Sequence, residues 1–411
     1  MAYSRVGAMV LVATWLAASL HAQAQDDRAS DAVTMTMAEA LARADAHAPE
    51  VAIAAAQAAV AHRDVGVAGI LPNPRVGGGV TVDYAGVLDL YMLLPIFGQL
   101  DTATDAARAR AQVADDSIEV ARLDARLAVA LAWTDLWLAE QNAALAAGDA
   151  TRRDAVHAAA AARLEEGTVA RIDVVRARAD SARAAADASA ASSARAGAAA
   201  RLAGTLGDDA PSVSIATAGD PLGASALGSP LDVAAMLETH PLARRAMASL
   251  HAAEQTTVHD HRSRWPRLGV QLSDWIHRSN DAHEVRLMLT MELPLFDEPR
   301  IERSEALRDQ AHVEEIAALA RLRAAALAMH ADFLGVAERC RAQSESVVPM
   351  AREASELSRE GYEEGSVDLT STLAAAQALA DAERSLAGCL ADRARAAARL
   401  DHAEGRVDDW R

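Results

Sequence analysis

Histidines and acidic side chains are the first candidates for chemistry. His251, His259, His261, His277 and His283 gather in one stretch, and His259-Asp260-His261 alternates two imidazoles with a carboxylate. Imidazole nitrogens and carboxylate oxygens are ordinary metal ligands, yet this spacing matches no known ligand signature. A solvated helix end accounts for it as well, so no metal is assigned. Acidic pairs precede two glycines, Glu165-Glu166-Gly167 and Glu363-Glu364-Gly365. They would make a surface electronegative or simply sit in solvent at a helix turn. The chain holds 58 Asp and Glu, so no single pair stands out as an acid and base. There is no GxSxG, HExxH or P-loop pattern and no nucleophile beside a base, so the chain does not read as an enzyme and no cofactor is indicated.

The two cysteines have a suggestive spacing. Cys340 lies 25 residues before Gly365 and Cys389 lies 24 after it. If the chain reverses at Gly365, both fall at about the same height on antiparallel helices. They make either an interhelical disulfide or two buried small apolar side chains.

The elements that position these residues follow from composition and period. Apolar residues are 51% of the chain but aromatics only 3%, and Ala supplies most of the apolar count. That mix reads as long packed helices. A net charge of -18 argues against a nucleic-acid partner. Residues 1–24 read as a secretory signal, with Arg5, an apolar run from Gly7 to Leu20, and Ala22-Gln23-Ala24 as the cleavage site. No further apolar run is long enough for a spanning helix, so a membrane crossing would need a closed β-barrel.

The chain is a duplication. ALARADAHAPEVAIA at 40–54, ILPNPRVGGGVTV at 70–82 and YMLLPIFGQ at 91–99 are answered by MLETHPLARRAMA at 236–248, RWPRLGVQL at 264–272 and TMELPLFDE at 290–298. Pro49 and Pro241 are 192 apart, as are Pro74 and Pro266, while Gly167 and Gly365 are 198 apart. The first repeat is placed at 25–206, with a helix over 36–69, a strand pair at 75–94 and a long helical hairpin at 101–206. A connector follows at 207–230. The second repeat spans 231–405, with a helix over 231–263, a strand pair at 267–293 and a hairpin at 299–405, before a tail at 406–411.

Within the strand pairs, Leu88, Leu90, Met92 and Leu94 share one face, and Val285, Leu287, Leu289, Met291 and Leu293 another. The opposite faces carry Asp89, Tyr91, Gln271, Ser273, Arg286, Thr290 and Glu292. Such alternation fits a transmembrane barrel and a soluble hairpin equally. A helix of about 65 residues would rise roughly 100 Å. Leu319, Leu322, Ala326, Met329, Phe333, Val336 and Cys340 step by 3 and 4 like a coiled-coil seam. Four strands cannot close a barrel, so other copies must complete it. Three copies would give twelve strands.

On the LPNP and WPRL segments at 71–74 and 265–268, LPIFG at 94–98, LPLFD at 293–297, and the EEG turns at 165–167 and 363–365, the sequence resembles the TolC-like outer-membrane efflux proteins over about 36–405. The resemblance implies a mostly α fold with a small β part, trimerising into a 12-strand outer-membrane β-barrel and a periplasmic α-helical tunnel. It implies a passive exit duct for an inner-membrane pump of the RND type, reached through a periplasmic adaptor. Outer-membrane lipid would surround the barrel. The hairpin turns would then form the entrance and adaptor-docking site, with Glu165, Glu166, Gly167, Thr168, Val169 and Asp173 from the first repeat. The second would supply Glu363, Glu364, Gly365, Ser366, Val367 and Asp368. Some members carry an acidic ring at positions that are Ser371 and Ala374 here, leaving Asp173 and Asp368 as substitutes. Tyr84, Tyr91, Trp265 and Trp275 are the few candidates for a membrane girdle. Heavy-metal cations are one cargo class; a periplasmic coiled-coil adaptor or scaffold, and the outer-membrane duct of type I protein secretion, are the alternatives.

Overall fold

In a computed structural model, residues 33–207, 215–221, 232–279 and 281–406 are described. The signal segment, most of the connector and all but Arg406 of the tail lie outside them.

The chain is mostly helical. Its elements are β1 (Val33–Met35), α1 (Met37–His47), α2 (Pro49–Ala68), β2 (Arg75–Gly79), β3 (Tyr84–Leu94), α3 (Gln99–Glu165) and α4 (Arg171–Thr205). Then come β4 (Ile215–Thr217), α5 (Val233–Thr239), α6 (Pro241–Ser263), β5 (Arg267–His277) and β6 (His283–Glu292). The last are α7 (Glu298–Ala342), a π-turn (Gln343–Val347), α8 (Val348–Glu364) and α9 (Leu369–Glu404).

Three expectations need correcting. The helix expected over 36–69 is two helices, broken at Ala48, whose backbone is extended. The helix expected over 231–263 is likewise two, broken at the extended His240. In both cases proline disfavours helical backbone in the residue before it and then opens a new helix, where its missing N–H costs nothing. In the second repeat the outgoing helix is interrupted by the π-turn just ahead of Pro349. The first repeat has no such break over the 67 residues of α3.

The compact units are not the repeats. Among the described residues, one unit takes 33–49, 122–207, 215–221 and 326–406; the other takes 50–121, 232–279 and 281–325. Each draws on both copies; in the first, Val156, Ala160 and Ala177 of one copy pack with Tyr362 and Leu369 of the other.

The first unit is built on Trp133, which is 0% exposed, among Leu41, Val129, Leu136, Leu202, Leu206 and Ile215. The remaining core positions are largely Ala, which allows close helix approach. A parallel pair, β1 with β4, lies against this core. The Trp133 indole N–H donates to the Met35 carbonyl at 3.0 Å. Thr217 donates its backbone N–H to both Glu140 carboxylate oxygens at 3.2 Å. These strands were not expected: β4 lies inside the connector, and three residues are too few to show a period.

The second unit holds the four-stranded antiparallel sheet, in the order β2-β3-β5-β6. Its helices are tied by side chains. His62 meets Asp115 at 2.9 Å, and Arg110 donates to Thr256 at 3.2 Å. Asp260 pairs with Arg300 at 2.9 Å, and His261 with Glu305 at 2.9 Å.

Candidate functional site: a two-faced sheet and two hairpin turns

Register decides what the sheet presents. Leu90 is opposite Val76 and Leu272, and Leu272 is opposite Leu287. Met92 is opposite Val270, and Val270 is opposite Leu289. Cross-strand partners share a face, so these residues form one apolar surface across all four strands. It is open: Leu287 is 71% and Leu289 70% exposed. The other face pairs Asp89 with Ser273 and Tyr91 with Gln271, and Ser273 with Arg286. It is knitted by hydrogen bonds. The Gln271 amide donates to Asp89 at 3.1 Å, and the Ser273 hydroxyl donates to the same oxygen. A soluble hairpin buries its apolar face; here that face is open, and on the edge strands β2 and β6 both faces are.

Tyr84, Tyr91 and Trp275 fall on the polar face, so they do not make an outward girdle. Tyr84 stacks edge-on to Trp275 with centroids 4.8 Å apart, and the Arg286 guanidinium lies 5.1 Å from the Trp275 centroid. Trp265 lies at the helical end of the sheet, 5.7 Å from Phe97. At the β5–β6 hairpin end the apolar face closes on a polar pair, His283 Nδ1 to Asp274 at 2.8 Å. An 11-residue strand such as β5 runs about 35 Å, and a tilt of about 40° brings its height to about 27 Å. That is close to the apolar band of roughly 25 Å on membrane barrels.

The five histidines are not brought together. His259 sits by the Thr102 hydroxyl at 3.2 Å, and burial holds its imidazole below its ordinary pKa. His277 pairs with Glu284 on the polar face at 3.3 Å, while His251 lies 3.7 Å from Glu254. Among the described residues no group of three or more His, Cys, Asp or Glu is placed to hold a metal ion.

The two hairpin turns belong to the first unit. Gly167 and Gly365 have φ of 76° and 81°, left-handed values that favour glycine. Glu165, Glu166, Gly167, Thr168, Glu363, Glu364, Gly365, Ser366 and Asp368 are exposed; Val169, Asp173 and Val367 are half-buried. Arg163 joins the turns, donating to the Tyr362 carbonyl at 2.7 Å with its guanidinium 4.9 Å from that ring. Burial raises the pKa of the Tyr362 phenol. Val156, Ala160, Ala177 and Leu369 pack around it.

The acidic residues divide by role. Asp368 caps α9, accepting from the Ser371 N–H at 2.7 Å, and that bond lowers its pKa. The cap therefore contributes above the ordinary carboxylate pKa and is lost as pH falls through the lowered value. Asp368→Ala is expected to deprotect the amides of the first turn of α9 in hydrogen exchange, leaving its middle unchanged. Glu363 pairs with Arg359 at 2.6 Å.

Further along the same helices is a buried ionic cluster that sequence reasoning missed. The Arg153 Nε donates to Asp149 on its own helix at 3.0 Å, Nη1 to Asp180 on α4, and Nη2 to Gln377 on α9 at 2.7 Å. Burial lowers the pKa of the guanidinium, but the bonds to Asp180 and Asp149 outweigh it and the net shift is upward.

Cys340 and Cys389 are joined in a disulfide with Cα atoms 5.5 Å apart, linking α7 to α9. Their separation of 49 residues corresponds to about 4 kcal/mol in the chain-entropy account. Cys340→Ser with Cys389→Ser is expected to lower the unfolding midpoint of the first unit by several degrees, read by thermal melting.

With these features in place, comparison with solved structures is decisive for the fold. The chain superimposes on CusC with a TM-score of 0.78 at 15% identity, covering 91% of this chain and 93% of that one. It superimposes on the outer membrane protein VceC of Vibrio cholerae with a TM-score of 0.73 at 17% identity, covering 90% and 96%. The chain has the TolC-like outer-membrane channel fold. The open state of the MtrE outer membrane channel of Neisseria gonorrhoeae also matches, with a TM-score of 0.74 at 19% identity over 90% and 88% of the two chains. No family model and no curated protein matches the sequence. The fold is thus the point of likeness, and among the matched structures MtrE is an outer membrane channel.

Proposed function

We propose that the chain is the exit duct of a tripartite efflux system, set in the outer membrane and reaching into the periplasm. The observation that carries this is the sheet with an open apolar face, a hydrogen-bonded polar face and two edges, β2 and β6, that no described strand pairs with. In lipid such edges cannot stay open. Three copies supply twelve strands and close the ring with the apolar face outward and Asp89, Gln271 and Ser273 inward. A helical stripe also lacks cover: Ile53, Val60 and Val67 step by seven along α2 and are all exposed. A neighbouring copy would bury it, as coiled-coil seams do.

In this reading the turns at Gly167 and Gly365 form the periplasmic entrance. A periplasmic adaptor docks on Glu165, Glu166, Thr168, Val169, Glu363, Glu364, Ser366 and Val367, and an RND-type pump supplies the energy. Asp173 and Asp368 add to an electronegative rim suited to cations, heavy-metal ions among them. Charged rings of this kind tune pore selectivity.

Three measurements test the proposal. Mass in detergent should be that of three chains, and the protein should resist carbonate extraction from outer membranes. A monomer released by carbonate would favour the periplasmic scaffold. In a deletion strain, retention of zinc, cobalt, cadmium or copper supports the metal cargo. Retention of dyes and detergents makes it a multidrug duct, and loss of a secreted protein makes it a secretion duct.

A further inference from the structure

The two long outgoing helices occupy corresponding places in the duplication, yet they differ at one point. α3 is unbroken over 67 residues. Its counterpart is broken at the π-turn Gln343–Val347, where the Val348 N–H reaches back five residues to the Gln343 carbonyl. Pro349 explains the break. It has no N–H for the Glu345 carbonyl, and its ring would strike that carbonyl in a regular helix. The wider turn moves the carbonyl aside. No residue of the π-turn is fully buried.

What lies on either side is unequal. Three residues before the π-turn, Cys340 is bonded to Cys389 on α9. Above that bond Phe333 packs with Ala396, Ala397 and Leu400. Beyond the π-turn, α8 buries only Val348, Gly361 and Tyr362 over its 17 residues. Its other ties include Arg352 to Glu383 at 3.3 Å, where Arg352 is mostly exposed, the Thr372 hydroxyl to the Ser358 carbonyl at 3.3 Å, and, at its far end, Arg163 to the Tyr362 carbonyl at 2.7 Å.

We propose that the π-turn is a hinge and the Cys340–Cys389 bond the clamp that bounds it. Bending is confined to α8, which carries the Gly365 turn, while the hairpin above the disulfide stays fixed. The first hairpin, with an unbroken helix and no cysteine, has no matching pivot.

Hydrogen–deuterium exchange on the purified full chain tests this directly. Amides of 344–352 should exchange at least about tenfold faster than those of 329–339, with no such step at the matching place in α3. Pro349→Ala restores an N–H and should slow 344–352 by about tenfold. Cys340→Ser with Cys389→Ser should speed exchange of 329–339 and leave 344–352 as it was. Uniform protection through 329–352, or a Pro349→Ala variant that exchanges like the parent, overturns the hinge. Exchange above position 340 that ignores loss of the disulfide overturns the clamp. None of these readouts depends on cargo or on membrane insertion, so a failed duct reading leaves them unaltered.

Discussion

Arg153→Met is expected to cost about 3–5 kcal/mol, the range for removing one partner of a buried ion pair. The lower end applies, because Arg152 and Arg384 each lie 3.7 Å from the Asp149 carboxylate and remain to share it. Asp149 and Arg153 side chains are almost fully buried, so solvent does not replace the lost bonds. Arg153→Lys should recover little of the loss. A lysine places one ammonium where the guanidinium now donates from three nitrogens toward three helices. Chemical denaturation of the purified protein reads both, and a Lys variant as stable as the parent would show that charge alone suffices.

Trp133→Ala should be as damaging, at about 3–5 kcal/mol for loss of the largest side chain in the core and the cavity it leaves. Trp133→Phe separates packing from hydrogen bonding. The Met35 carbonyl also accepts from the Ala218 N–H at 3.0 Å, so it keeps a partner when the indole is gone. Phe should therefore cost only about 1–2 kcal/mol. If Phe proves as costly as Ala, the indole bond carries more of the local structure than its geometry implies.

Both residues show where sequence reading reached its limit. The strand faces were legible because alternation is a local signal: Leu287 and Leu289 on one side, Arg286 and Thr290 on the other. Gly167 and Gly365 were legible because a left-handed turn between long helices asks for glycine. The spacing of Cys340 and Cys389 about Gly365 was informative because an antiparallel hairpin turns spacing into height. Arg153 was not legible, since its partners Asp180 and Gln377 are 27 and 224 residues away, and an acidic, arginine-rich chain offers many equal candidates. The Arg163–Tyr362 contact was hidden for the same reason. Pro49, Pro241 and Pro349 were visible as prolines, but their effects differ. The first two end one helix and start the next, whereas Pro349 is absorbed by a π-turn within one outgoing helix. The aromatics misled because a residue's type does not give its face: Tyr84 and Trp275 turn to the polar side.

The adaptor and scaffold alternatives differ from the duct in one physical respect, which is what the apolar face of the sheet touches. The most direct measurement places a single fluorophore in turn at positions 285 to 290 by cysteine substitution, the native cysteines being bonded to each other. The protein is reconstituted in lipid and probed with nitroxide-bearing lipid and with aqueous iodide. The duct predicts strict alternation: probes at Val285, Leu287 and Leu289 are quenched from the lipid, and those at Arg286, Met288 and Thr290 from water. Aqueous quenching at all six positions, with none from lipid, would contradict it.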